Sequence, residues 1–279
     1  MEVIVARAAG FCFGVRDGLA LAESVENPLD VTIFGEFVHN PDVRAGLAGR
    51  GFRELKEAGR EGFLPTTRRV LITAHGLSDR ERSRLLSAGL MLIDATCPIV
   101  RRAHAAAGRL AAAGYHVVVI GDPSHVETRG LTEDLPAFDV VPSAEAARPL
   151  GRMRLGVIAQ TTVPPDEAAR TIEALRRANP DAEVRFVDTI CEPTKDRLLA
   201  VAELARTVDG FVVVGGPASH NTRRLREAAE KAGRPALLVR GPEDLLPAFF
   251  VGRKRIGLTA GTSTPDATIA RVREAIEAL

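Results

Sequence analysis

Met91-Leu92-Ile93-Asp94-Ala95-Thr96-Cys97-Pro98-Ile99-Val100 holds the pattern that decides the fold: a short apolar run, a polar turn ending in cysteine, and a proline that opens a helical stretch. The run predicts a strand over Met91–Asp94, and Pro98 with Gly114 past the far end frames a helix, because proline suits the first helical position and glycine the exit. The same passage from strand to cysteine turn recurs at Ala9-Gly10-Phe11-Cys12-Phe13-Gly14-Val15 and Asp188-Thr189-Ile190-Cys191-Glu192-Pro193. These are the only three cysteines, and they cut the chain nearly into thirds. That spacing hints at one α/β unit used three times.

Outward from these turns, short β-branched runs alternate with Ala/Leu/Arg-rich stretches, the signature of parallel α/β sheets. Further strands are predicted at residues 2–6, 31–34, 69–73, 116–120, 139–141, 155–159, 184–188, 210–214, 236–239 and 255–259. Helices are predicted at 15–25, 79–88, 98–113, 165–178, 194–207 and 222–232, with a closing one over 265–279. In such sheets ligands bind beyond the carboxyl ends of strands, where helix N-termini point. Nearly every unusual polar residue falls there: His39 and Asn40, His75, His125, Thr161 and Thr162, Ser219, His220 and Asn221, and Ser263. His104, within a helix, and His116, at a strand start, read as structural.

Composition narrows the classes. The chain has 279 residues, 46% hydrophobic and 26% charged, with a net charge of +1. This is an ordinary globular balance with no electrostatic case for nucleic acid or a membrane surface. No Trp and a single Tyr115 argue against a stacking platform for single strands. No apolar run is long enough to span a bilayer, no leader is visible, and an odd number of widely spaced cysteines fits a reducing compartment, so a cytoplasmic location is expected. There is no G-x-G-x-x-G or Walker pattern; Gly215-Gly216-Pro217 reads as a turn.

A lone cysteine is most often a core residue, but three in one strand-end context point to a shared task. Cys97 sits at a helix start, where the dipole favours thiolate. Three thiolates suit zinc completed by a histidine, or a [4Fe–4S] cluster with one iron open. The hydroxyls, amide and imidazoles of the strand-end loops form an anion site without the Lys/Arg excess of nucleotide channels, and a diphosphate fits them. Glu127 is the one carboxylate close in sequence to this set, a candidate proton donor if enclosed and a solvated loop acid if not. Asp94 and Asp188 are expected to brace the cysteine turns, and Asp122 to sit in a turn.

Taken in order, Gly10-Phe11-Cys12, Val38-His39-Asn40, Ala74-His75-Gly76, Asp94-Ala95-Thr96-Cys97-Pro98, His125-Val126-Glu127, Gln160-Thr161-Thr162, Thr189-Ile190-Cys191, Ser219-His220-Asn221-Thr222 and Thr259-Ala260-Gly261-Thr262-Ser263 resemble the 4-hydroxy-3-methylbut-2-enyl diphosphate reductase (IspH/LytB) family of the non-mevalonate isoprenoid pathway. The match covers essentially the whole chain. The resemblance implies three α/β lobes in a pseudo-threefold arrangement around a central iron–sulfur cluster: residues 14–97, residues 98–191, and residues 1–13 with 192–279. It implies Cys12, Cys97 and Cys191 as ligands of a [4Fe–4S] cluster. It gives His39, His75, His125, Ser219, Asn221 and Ser263 to the substrate diphosphate, and Glu127 and Thr162 to the allylic alcohol and its proton; Asn40, Thr161 and His220 are further candidates for substrate binding.

The implied reaction is a two-electron reductive dehydroxylation to isopentenyl and dimethylallyl diphosphate, with ferredoxin or flavodoxin as electron donor. Three stretches depart from the family pattern. The histidine loop reads Ser124-His125-Val126-Glu127-Thr128-Arg129-Gly130, the third cysteine is followed by Glu192-Pro193-Thr194-Lys195-Asp196-Arg197-Leu198, and a Ser-Ser-Asn becomes Ser219-His220-Asn221. A hydro-lyase using the cluster only as a Lewis acid, and a non-enzymatic cluster-binding paralogue, are the alternatives.

Overall fold

The computed structural model describes residues 1–57, 60 and 62–279. Its strands are β1 (Glu2–Val5), β2 (Val31–Phe34), β3 (Arg53–Leu55), β4 (Arg69–Ile72), β5 (Met91–Asp94), β6 (His116–Ile120), β7 (Phe138–Val141), β8 (Arg154–Ala159), β9 (Glu183–Phe186), β10 (Gly210–Val214), β11 (Ala236–Val239) and β12 (Arg255–Ala260). Its α-helices are α1 (Phe13–Glu23), α2 (Pro41–Gly49), α3 (Asp79–Ser87), α4 (Pro98–Ala112), α5 (Val126–Thr132), α6 (Pro165–Ala178), α7 (Glu192–Leu204), α8 (His220–Lys231), α9 (Pro247–Phe250) and α10 (Asp266–Glu277).

The strands form three four-stranded sheets, ordered β3-β2-β4-β5, β7-β6-β8-β9 and β11-β10-β12-β1. Every pairing among the described residues is parallel. The three orders are one order: second, first, third, fourth strand along the chain, with the N-terminal β1 serving as the fourth strand of the last sheet. The expected α/β class is therefore present as a threefold repeat of topology, with no matching repeat of sequence.

Parallel strands read as continuous apolar runs because helices cover both faces. In the last sheet Phe211 and Val213 of β10 pack with Leu225 and Ala229 of α8, while Val212 and Val214 face Ile269, Val272 and Ile276 of α10. In the middle sheet Val117 and Val119 of β6 meet Ala103, Ala106, Ala107 and Leu110 of α4, and Val118 and Ile120 share a core with Ala168, Ile172 and Leu175 of α6. The first sheet buries Phe34, Val70 and Ile72 with Leu77 and Leu85. Each such side chain contributes about 1.5–3 kcal/mol when fully buried.

By contacts the chain divides into two compact units, one of Met1–Arg16, Val38–Gly46 and Glu192–Leu279, the other of Asp17–Phe37 and Leu47–Cys191. The first unit holds the β11-β10-β12-β1 sheet, and the second holds the other two. No helix among the described residues is long and apolar enough to cross a membrane.

Several expectations are corrected. The short edge strand β3 and helices α2, α5 and α9 were not anticipated. The helix expected from Thr222 begins at His220, and the one expected from Thr194 begins at Glu192. His220, Asn221 and Glu127 thus stand in first helical turns, not in loops.

Gly215-Gly216-Pro217 does form a bend, and its second glycine is a matter of space: a Cβ on Gly216 would lie 2.6 Å from the carbonyl oxygen of His39. Gly216→Ala is expected to cost about 1–3 kcal/mol, because backbone must shift to admit the methyl. Gly46→Ala, a helical glycine with nothing within 4 Å of its Cβ position, should instead stabilise by about 0.5–1 kcal/mol. Urea unfolding of the two variants checks the contrast.

Candidate functional site

The threefold topology places the same kind of residue at the same place in each sheet. After the first strand, a polar residue opens a helix. Asn40 Oδ1 accepts from the amides of Asp42 and Val43 ahead of α2 (3.0 and 3.3 Å). His125 Nδ1 accepts from Glu127 N–H at the start of α5 (3.2 Å), and Ser219 Oγ accepts from Thr222 N–H in α8 (3.3 Å). These contacts satisfy amides that the helix itself leaves unpaired. At His125 the bond also sets the tautomer: with Nδ1 accepting, the proton sits on Nε2, which becomes a donor.

After the third strand come His75, Thr161 and Ser263; after the fourth come the cysteines. Each cysteine directly precedes a helix, Cys12 before α1, Cys97 before α4 and Cys191 before α7. Sequence reasoning saw this helix-start position only for Cys97, where the proline marks it. All three thiols are half-buried and none is in a disulfide. Each cysteine amide donates to a carbonyl in the neighbouring third-strand loop: Cys97 to Ala74 (3.1 Å), Cys191 to Thr161 (3.0 Å) and Cys12 to Thr262 (3.2 Å). Every sheet therefore ties a thiol to its polar loop by one repeated bond.

The aspartates brace these turns as expected. Asp94 accepts from Thr96 N–H (2.9 Å) and Thr96 Oγ1 (2.5 Å) and from Arg82 and Arg101 (2.7 and 2.9 Å). Burial pushes its carboxyl up, but the Arg82 and Thr96 hydrogen bonds outweigh that and hold it below its ordinary range. Asp188 accepts from Ile190 N–H (2.9 Å), and Asp122 from Ser124 N–H and Oγ (2.8 and 2.6 Å). His116 is structural, its Nε2 lying 2.8 Å from Asp139.

Glu127 is not a solvated acid. It is 2% exposed, and its carboxylate accepts from Thr161 N–H at 2.6 Å and Thr161 Oγ1 at 2.9 Å. Burial raises its pKa above the ordinary 4.5, and the two Thr161 bonds only partly oppose this. Such a carboxyl keeps its proton to higher pH, which a general acid requires. The residue that holds it is Thr161; Thr162 instead accepts from Gln160 Nε2 (3.2 Å). Gln160, 1% exposed, also takes the Asp122 N–H on its Oε1 (3.1 Å), joining the loops after β6 and β8. Its bridging role had no signal in the sequence beyond its position beside the threonines.

The rings of His75 and His125 meet edge to face with centroids 5.6 Å apart. In the unit that carries Cys12, Asn221 Oδ1 accepts from Thr262 N–H (3.0 Å). Asn221 Nδ2 and Ser263 Oγ are buried with no hydrogen-bond partner. Buried polar atoms are rarely left so, and an unmet donor pair beside a helix start suits an anion that supplies acceptors. His39 and His220 are half-buried at the carboxyl ends of their sheets.

Three repeated parallel α/β sheets, each followed by a half-buried cysteine at a helix start, give the chain three thiols in like settings, the donor type of iron–sulfur proteins. The donor set fits a [4Fe–4S] cluster, because soft sulfur ligands suit it. The comparison with known families agrees. The LytB protein family matches residues 3–277, and the chain belongs to that family, whose members carry a [4Fe–4S] centre.

A relative from Geobacter metallireducens, named 4-hydroxy-3-methylbut-2-enyl diphosphate reductase, is 36% identical over 98% of each chain. One of the same name from Geobacter sulfurreducens is 35% identical over 99% of this chain and 97% of its own. Among solved structures, that of (E)-4-hydroxy-3-methyl-but-2-enyl diphosphate reductase, described as the terminal enzyme of the non-mevalonate pathway, is similar at a TM-score of 0.68 with 32% identity, covering 100% of this chain and 99% of that one. The E-1-hydroxy-2-methyl-but-2-enyl-4-diphosphate reductase from Plasmodium falciparum is similar at 0.87 with 26% identity, covering 98% and 87%.

Proposed function

We propose that this chain reduces 4-hydroxy-3-methylbut-2-enyl diphosphate to isopentenyl and dimethylallyl diphosphate. The observation that carries the reading is the enclosed Glu127, whose carboxyl pKa is held above its ordinary range by burial, hydrogen-bonded to Thr161, whose carbonyl in turn tethers Cys191. In the overall reaction a C–O bond breaks and a C–H bond forms. Two electrons and two protons enter, one proton leaving with the hydroxyl oxygen as water. Cys12, Cys97 and Cys191 would hold the [4Fe–4S] cluster, which when bound supplies electrons and a Lewis-acidic iron.

The remaining work falls to side chains. Glu127 holds the proton for the departing hydroxyl on a carboxyl oriented by Thr161, and Thr162, fixed by Gln160, orients that hydroxyl. Asn221 Nδ2, Ser263 Oγ and the Nε2–H of His125 are donors for the diphosphate, with His39, Asn40, His75, Thr161, Ser219 and His220 completing its surroundings. Anchoring this remote anion positions the reacting carbon. The lobes would be residues 14–97, residues 98–191, and residues 1–13 with 192–279, a division supported by the repeated strand order. A ferredoxin or flavodoxin would deliver electrons singly, and the cytoplasm is the proposed location.

The test is anaerobic turnover of cluster-loaded chain with a reduced one-electron donor and the allylic diphosphate. Donor oxidation matched by the two isomeric products supports the reading. Substrate loss without donor oxidation would make the chain a hydro-lyase, and an intact cluster with no substrate loss would make it a binding paralogue.

Ser263→Ala tests the anion site by two opposed effects. Without ligand it deletes a buried hydroxyl that has no partner, so stability should hold or rise by up to about 1 kcal/mol. With substrate it deletes a donor, so KM should rise roughly ten-fold with kcat little changed. Calorimetry of the ligand-free variant and steady-state kinetics read the two effects.

A further inference from the structure

Arg197 is a charged side chain only 5% exposed, and taking a guanidinium out of water costs several kcal/mol unless its donors are well used. Two of them are. Nη1 donates to the carbonyl of Pro193 at 2.9 Å, one turn back in α7, and Nη2 donates to the carbonyl of Gly10 at 2.6 Å. Gly10 lies two residues before Cys12 and has φ +77°, a left-handed conformation that L side chains rarely adopt. A Cβ there would also fall 2.7 Å from Asp266 Oδ1.

From Gly10 onward the chain is held at two points, Gly10 O by Arg197 and Cys12 N–H by Thr262 O. The second anchor is the one repeated at every cysteine; at Cys12 the first is added to it. It also starts from α7, the helix whose first residue follows Cys191 in the chain.

We infer that Arg197 is a positioning residue that pins the Cys12 turn to the helix following Cys191, fixing the direction of the Cys12 thiolate. Two carbonyls are gripped at once by one planar fork, a geometry an ammonium does not reproduce, so lysine should not substitute. Outer partners that orient metal ligands matter in the same way to the metal they never touch. The inference rests on the three-thiolate reading of the site.

The experiment uses Arg197→Lys and Arg197→Met, with Arg273→Met as a control. Arg273 is an exposed α10 residue paired with Glu277. Apo and cluster-loaded proteins are compared anaerobically by amide hydrogen exchange over residues 10–13, by the rate of iron loss to a chelator, and by the electron paramagnetic resonance spectrum of the reduced cluster. Expected for both Arg197 variants are exchange and iron loss faster by roughly ten-fold or more, with a shifted spectrum; the control should match the parent. Parent-like exchange and iron loss in Arg197→Lys would overturn the inference, even if Arg197→Met fails to fold. A parent chain that takes up no cluster, yet shows faster exchange in Arg197→Lys, would retain the clamp and reject the three-thiolate reading instead.

Discussion

Glu127→Gln is expected to lower turnover by about two to four orders of magnitude while cluster content and substrate binding stay at the parent level. The substitution is close to isosteric, and the site can accommodate it. The Gln carbonyl oxygen can still accept from Thr161 N–H, now 2.6 Å from the carboxylate, and the amide can donate to Thr161 Oγ1, which lies 2.9 Å from the other oxygen. What disappears is the transferable proton.

Stability provides a second, independent readout. Burial holds the folded-state pKa of Glu127 above its ordinary 4.5. Below that ordinary value both folded and unfolded chains carry the proton, and burial costs nothing in charge. As pH rises past it the unfolded chain ionises first and folding must take up a proton, so this residue's contribution to stability falls with rising pH until the folded carboxyl also ionises. Glutamine has no such dependence. The variant should therefore match the parent in acid and exceed it near neutrality, measured as Tm against pH. Near-parent turnover in single-turnover assays would remove Glu127 from the proton path. A variant less stable than the parent at neutral pH would make the carboxylate a structural acceptor for the Thr161 loop.

The parts of this molecule that were legible in the sequence are those set by local patterning. The β10 run Gly-Phe-Val-Val-Val and the β6 run His-Val-Val-Val-Ile leave little choice, since a short β-branched stretch between helical ones is a buried parallel strand. The cysteine turns were legible because the passage from a strand-like run to a polar turn holding a thiol repeats three times, although the helix start showed only at Cys97, where Pro98 marks it. The missed elements are weakly coded. β3 is three residues, Arg-Glu-Leu, at a sheet edge, and its pairing with β2 comes from tertiary context. α2 contains two glycines, and α5 contains Gly130 and the β-branched Val126, Thr128 and Thr132, so both fall below a propensity threshold that capping by Asn40 and His125 makes up.

Residue roles decided by three-dimensional neighbours were the least legible. Thr161 and Thr162 are adjacent and chemically identical, and only the geometry shows that Thr161 grips Glu127 while Thr162 bonds Gln160. Arg197 reads as one more surface arginine of a helix, because its partner, the Gly10 carbonyl, is far away in sequence.

Cys97→Ser is the variant that best separates the metal site from the fold. In the parent, Cys97 occupies the N-cap position of α4 with no side-chain capping bond. Serine is among the preferred residues there, because its oxygen can accept an N–H of the first turn, a contribution typically near 1 kcal/mol. The apo variant should thus be at least as stable as apo parent, with the Cys97 amide still donating to Ala74. A serine hydroxyl ionises far less readily than a thiol and is a harder donor, so the cluster loses one of its soft anionic ligands. Iron retained after anaerobic desalting is expected to drop roughly ten-fold or more, and turnover with it. The combination matters more than either half: a stable apo chain that no longer holds iron assigns the thiolate to the cluster. Iron content equal to the parent's would exclude Cys97 as a ligand, and lost iron with a collapsed Tm would instead place the cysteine in the packing of the turn.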